Sequence, residues 1–153
     1  MDANYQIDDV DRKILKELIK DGRMSFLEIA KKLVVSGGTI HQRVNKMKAI
    51  GIIKGFMPIL DKEKLGLTVS VIVGVNLKNA KDCGVVLEKL NRFSEVVEAH
   101  YTTGTYALII KVTTGSMPEF HSFLIDRLQA ISEIQSTESF VCLSTPIEKN
   151  IKV

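Results

Sequence analysis

The chain has 153 residues, 45% hydrophobic and 25% charged, enough for one ordinary domain or two small ones with packed cores. The polar, acidic stretch Met1 to Asp11 does not read as a secretory leader. The longest strong apolar run, Val69 to Val75, is broken by Ser70 and Gly74 and falls far short of the ~20 residues a membrane helix needs. Net charge is +3, but residues 1–60 hold eleven Lys/Arg against seven Asp/Glu, and the remainder ten against eleven. Between residues 23 and 54, Arg23, Lys31, Lys32, Arg43, Lys46, Lys48 and Lys54 face only Glu28, the footprint of a surface that meets a polyanion.

In chain order, residues 8–51 read as three short helices. Asp8 or Asp9 caps the first, whose Val10, Ile14, Leu15, Leu18 and Ile19 recur at helical spacing. Asp21-Gly22 ends it, with glycine expected in the left-handed conformation. Ser25-Phe26-Leu27-Glu28 is a capping box opening a helix that buries Phe26 or Leu27, Ile29, Ala30 and Leu33. A tight break at Val34-Val35-Ser36-Gly37 follows, with Ser36 as N-cap of a third helix that carries Ile40, Val44 and Met47 and stops at Gly51. Ile52 to Leu60 is expected to form a short β wing, and residues 61–66 a charged hinge.

From residue 67 the period changes to two: Val69, Val71, Val73, Val75 and Leu77 alternate along one strand face. Residues 81–93 are helical, Val96–Thr103 and Tyr106–Thr113 form a hairpin turning at Gly104, Ser116–Ile131 is a second helix, and Ile134–Leu143 a last strand. The class is therefore α+β: a winged helix-turn-helix over residues 1–60, then a ferredoxin-like βαββαβ domain over 67–153. Both helices of that domain cover one sheet face, and adjacent pairs such as Ile109-Ile110 and Val96-Val97 force apolar side chains onto the other, so a second subunit is expected there.

On a wheel of about 100° per residue, Ile40, Val44 and Met47 face the core while Gly38, Gln42, Asn45 and Ala49 lie opposite. Gln and Asn bond bidentately to adenine, and Lys and Arg neutralise phosphates or read guanine. The expected DNA contacts are Arg23, Ser36, Thr39, His41, Gln42, Arg43, Asn45, Lys46 and Lys48. Arg43 sits beside the apolar stripe, so it anchors either a phosphate or an internal carboxylate. No metal site is expected, because His41, His100 and His121 lie on different elements and Cys83 and Cys142 have no CxxC neighbour. With no nucleophile–base pair and no phosphate-binding glycine loop, an enzyme is not expected either.

Ser36, six residues, Arg43-Val44, two residues, Met47, three residues and Gly51-Ile52-Ile53, following Gly22-Arg23 and Glu28-Ile29-Ala30, resemble the Lrp/AsnC or feast/famine regulators over nearly the whole chain. Val34, where the family has a small or polar turn residue, and Gly37, where it often has proline, depart from the pattern. Gly38-Thr39-Ile40-His41, Lys81-Asp82, residues 101–106 and residues 133–138 are similar to the asparagine-responsive branch. Tyr106-Ala107 stands where other members often carry an acidic residue, which makes leucine-type recognition less secure. The resemblance implies a bacterial, cytoplasmic, nucleoid-associated regulator, with homodimers assembling into octamers or larger. It implies an amino-acid effector, asparagine, in the C-terminal domains and no cofactor. A dimer on double-stranded DNA implies a pseudo-palindromic operator.

An α-amino acid needs donors for its carboxylate and acceptors for its ammonium, which a glycine turn offers from its backbone. Tyr101, Thr103, Gly104, Thr105, Tyr106, Gln135, Ser136 and Thr137 are the expected effector contacts. The competing reading of Gly104 is a plain tight hairpin. The competing function is a leucine-responsive type of architectural regulator that wraps DNA with a different effector or none.

Overall fold

A computed structural model of the chain describes residues 5–153; the first four residues of the polar amino-terminal stretch lie outside it. The packing divides into two compact units, one made of the described residues up to Ile59 with Ile147–Val153, the other of Leu60–Pro146. The tail 147–153, which the sequence boundary set with the sheet, groups with the helical unit, where Val153 packs on its core.

The helical unit contains α1 (Asp9–Lys20), α2 (Phe26–Leu33) and α3 (Gly37–Ala49). Asp8 caps α1 and Ser25 caps α2, each through a reciprocal capping box with residue N3, so both starts satisfy two otherwise orphaned amides. Ile14, Leu15 and Leu18 of α1, Ile29 and Ala30 of α2, and Ile40, Val44 and Met47 of α3 form the core. Leu27 faces outward and Phe26 takes the inward position.

Two local expectations fail. Gly22 is not left-handed: α1 ends because Asp21 turns extended (φ −147°) and its side chain accepts from the Arg23 amide at 2.9 Å. The left-handed residue of this unit that breaks the rule is Val34, at φ 57° and ψ 47°, closing α2. The wing does not form either, for residues 52–60 lie in no strand. Gly51, at φ +80°, turns the chain so that the amides of Ile52 and Ile53 return to the Met47 carbonyl at 2.9 and 3.2 Å. Those amides are lost to a β ladder, and Pro58 has none to give.

The second unit contains β1 (Val69–Leu77), a 3-10 turn (Ala80–Asp82) running into α4 (Cys83–Leu90), β2 (Val96–Tyr101), β3 (Leu108–Thr114), α5 (Met117–Ser122) and β4 (Ile134–Val141). The sheet is antiparallel with order β2-β3-β1-β4, the ferredoxin-like arrangement. Val71, Val73, Val75 and Leu77 of β1 and Leu108, Ile110 and Val112 of β3 form a core with Val86, Leu90, Phe120, Phe123 and Leu128.

The second helix is not uniform: α5 continues as a π-helical turn over Phe123–Leu128, with the Gln129 amide bonded to the Leu124 carbonyl at 2.9 Å. The wider turn brings Phe123 and Leu128, five residues apart, to the same core. The hairpin is also looser than a turn at Gly104, since β3 starts only at Leu108 and residues 102–107 form an open loop. On the outer sheet face, Ile72 lies opposite Phe140, which is 48% exposed, and His100 lies opposite Ile109.

Candidate nucleic-acid interface and effector region

The helix α3 turns its apolar stripe fully inward: Ile40, Val44 and Met47 have no exposed surface. Its opposite face therefore meets solvent, with Gly38, His41, Gln42, Asn45, Lys46 and Lys48 exposed and Thr39 half-buried. Ser36 caps the helix by accepting from the Thr39 amide at 3.1 Å, and its hydroxyl bonds that of Thr39 at 2.8 Å. Asn45 Nδ2 lies 3.3 Å from His41 Nδ1 one turn earlier, and the His41 ring meets Phe26 edge-on at 5.8 Å. Lys48 stands over the Phe56 ring at 5.2 Å, and Arg23 is exposed.

Arg43 is held internally. Its Nη1 donates to Asp8 Oδ2 at 2.7 Å and to Asp11 Oδ1 at 2.9 Å. Asp11 is wholly buried, and its Oδ2 accepts from the Tyr5 hydroxyl and from the Asp8 amide at 3.2 Å. Burial first, then the bond to Asp11, pushes the Tyr5 hydroxyl up to about 12. The Asp11 amide, then Arg43, holds the Asp8 carboxyl below its ordinary range, and the two carboxylates fix the charge on Arg43. Lys46 lies 4.3 Å above the Tyr5 ring. Tyr5 and Asp11 were not anticipated. The available signal was Asp11 itself, an acid three, four and seven residues before the buried Ile14, Leu15 and Leu18.

In the sheet unit the expected effector residues divide between two faces. Ser136 pairs with Asn76 across β1 and β4, and Asn76 Nδ2 donates to its hydroxyl at 3.3 Å, on the outer face. Thr137 pairs with the buried Val75 and accepts from Gln129 Nε2 at 2.9 Å, on the helix face. Tyr101 pairs with the buried Leu108 and so shares the helix face, while Gln135 is exposed near the start of β4.

Tyr106 goes to the outer face, where its ring lies against Gly74 and its hydroxyl donates to Glu138, a bond that raises the phenol's pKa. Thr103 and Thr105 are exposed in the loop, and the Thr102 hydroxyl ties that loop by donating to the Tyr106 carbonyl. Gly104 has no positive φ and open space where a Cβ would stand, so the loop's own backbone does not require glycine there. Gly74, Asn76, Gln129 and Glu138 were missed; a glycine inside a strand pattern was the one signal for a close approach.

Two clefts mark this unit. One of about 410 Å³ runs between α4 and β2, and one of about 620 Å³ is walled by Leu65, Leu67, Val97, Phe123 and Arg127. Neither lining includes an expected effector residue. Among the described residues no helix is long and apolar enough to cross a membrane.

Residues 7–48 match the AsnC-type helix-turn-helix domain, and residues 70–151 the Lrp/AsnC ligand binding domain. The chain is 49% identical over 148 residues to the Regulatory protein AsnC of Haemophilus influenzae, covering 97% of this chain and 99% of that protein. It is 46% identical over 149 residues to the Regulatory protein AsnC of Escherichia coli, covering 97% and 98%. The solved structure of E. coli AsnC superposes with a TM-score of 0.93 at 44% identity, covering 97% of this chain and 100% of that one. The chain thus belongs to the Lrp/AsnC family of transcriptional regulators: a DNA-binding helix-turn-helix protein with a ligand-binding domain, and not an enzyme.

Proposed function

We propose that this regulator answers to asparagine and needs no cofactor. In this reading two α3 helices of a homodimer read a pseudo-palindromic operator, and dimers assemble into octamers or larger in the bacterial cytoplasm, on the nucleoid. The observation that carries the DNA-reading half is the α3 wheel: a wholly buried stripe opposite exposed Gln42 and Asn45, with cations beside them. The sequence identity to two AsnC proteins supports asparagine. Open space at Gly104, unneeded by the loop itself, supports a ligand approaching the backbone there. The exposed Phe140 beside Ile72 supports a subunit contact on the outer sheet face.

A ligand shifts assembly or DNA affinity only through a difference in its affinity for two arrangements. Thermal denaturation against a panel of amino acids tests the effector, because a ligand of the native state raises the midpoint. Asparagine is expected to raise it and to change the sedimentation profile or operator affinity. A shift with leucine or methionine but none with asparagine overturns the assignment. A long periodic footprint, in place of a short dyad, would indicate the architectural DNA-wrapping mode.

A further inference from the structure

We infer that Arg43 is a positioning residue, which sets the rotation of α3 against α1 and touches no DNA phosphate. The inference rests on the reading of α3 as the base-reading helix. Its basis is the bonding of one nitrogen: Nη1 bridges Asp8 at 2.7 Å and Asp11 at 2.9 Å. With two carboxylates on one guanidinium the cluster carries a net negative charge, and a phosphate brought to it would face both anions. Arg43 is thus poorly placed as an anchor for DNA, although it lies one residue from Gln42.

The same bonding does what apolar packing cannot. Ile40, Val44 and Met47 seat α3 at a fixed depth, but contact between apolar surfaces is non-directional and tolerates rolling about the helix axis. Hydrogen bonds from Arg43 into a buried carboxylate are directional, and they sit to one side of the apolar stripe. Asp11 is itself fixed by the Tyr5 hydroxyl and the Asp8 amide, so the anchor cannot swing. Lys46, on the next turn, rests over the Tyr5 ring at 4.3 Å and extends the contact along the flank. Rolling α3 would break this set and carry Gln42 and Asn45 away from the base edges they read.

The test uses the full chain and a duplex it selects from a random-sequence pool, beside a scrambled duplex of equal length, with affinity measured against salt. Arg43→Gln and Asp11→Asn are each expected to weaken the selected duplex by roughly tenfold. The scrambled duplex and the salt slope should not change, and the double variant should be no worse than either single one. Asp11→Asn removes a negative charge, so electrostatics alone would tighten binding. Asp8→Asn keeps an N-cap oxygen for α1 and carries the same expectation if Asp11→Asn fails to fold. The inference is overturned if Arg43→Gln lowers the salt slope by about one and weakens both duplexes alike. It is equally overturned if the acid variants leave the selected duplex bound as before or more tightly. Gln42→Ala and Asn45→Ala test the underlying reading separately, since unchanged preference in both would remove α3 as the reader whatever Arg43 does.

Discussion

The Tyr106 ring occupies the space that a side chain on Gly74 would need: a Cβ built there stands 2.6 Å from the ring's Cγ. The contact joins two strands of the sheet unit to a loop, because Tyr106 comes from the loop before β3, Gly74 from the middle of β1, and Glu138, which takes the Tyr106 hydroxyl, from β4. Gly74 has no positive φ, so its backbone would accept alanine, and the three nearest conflicts are all with the ring. Gly74→Ala is therefore expected to destabilise by about 1–3 kcal/mol, the range of overpacking. In a Tyr106→Ala background the same change should be neutral or stabilising, as removal of a strand glycine usually is. A denaturant double-mutant cycle reads the coupling, and equal costs in both backgrounds would show that the ring does not lie there.

Val34 closes α2 in the left-handed conformation and is 90% exposed. For a β-branched residue that backbone is strained by roughly 1–2 kcal/mol, and almost no packing at this site compensates. Val34→Gly or Val34→Asn should stabilise the chain by about 1 kcal/mol, seen as a higher thermal midpoint. A lower midpoint for both variants would place the strain elsewhere. Whether the natural valine is kept for the turn's angle is readable from DNA affinity in the same variants.

Much of the fold was legible because its signals are local. Ser25 and Glu28 at capping-box spacing, and the alternating valines of β1, specify their elements with no knowledge of the rest. Failures came where a backbone amide had a better partner than the pattern assumed. Ile52 and Ile53 look like strand residues, yet their amides close the end of α3 at Met47, and the wing is lost. Candidate site residues were legible as an exposed face on α3, where one buried stripe defines its opposite. They were less so around the 102–107 loop, because alternation along β4 sends Ser136 and Thr137 to different faces and residues adjacent in sequence do not converge. Arg43 was ambiguous for a physical reason: its partners lie 32 and 35 residues away, in another helix and at its cap, and no local spacing reports them.

The Ser25–Glu28 box makes a stability prediction with a pH signature. The Ser25 hydroxyl accepts from the Glu28 amide at 3.2 Å, and Glu28 Oε2 takes the Ser25 amide at 2.9 Å and hydroxyl at 2.7 Å. Ser25→Ala is expected to cost about 1 kcal/mol near neutral pH. The bonds from Ser25, hydroxyl first and amide second, lower the Glu28 pKa from its ordinary 4.5. A carboxyl lowered on folding contributes stability above its unfolded value, and that contribution fades as pH falls through the folded one. The gap between the parent chain and Ser25→Ala should therefore narrow below pH 4.5, as measured by denaturant midpoints across an acid series. A gap independent of pH would mean that Glu28 takes no part in the cap.

Tyr5 predicts the opposite limb. Its hydroxyl ionises at 10.0 when exposed and is pushed up to about 12 in the fold, by burial and by its donation to Asp11. A group that holds its proton more tightly when folded stabilises the native state fully below its unfolded value, and loses that contribution as pH rises through the folded one. The window is thus pH 10 to about 12, and ionisation there would set a phenolate against the buried Asp11 carboxylate. Tyr5→Phe keeps the ring beneath Lys46 and removes the titrating group, so it should be less stable than the parent at neutral pH. Across the alkaline window the two stability curves should converge. Groups remote from Tyr5 are the same in both proteins and cancel in the difference, which assigns convergence to Tyr5. Parallel curves up to pH 12 would show that its hydroxyl is not bonded to Asp11 and that the anchor of α3 lacks its outer support.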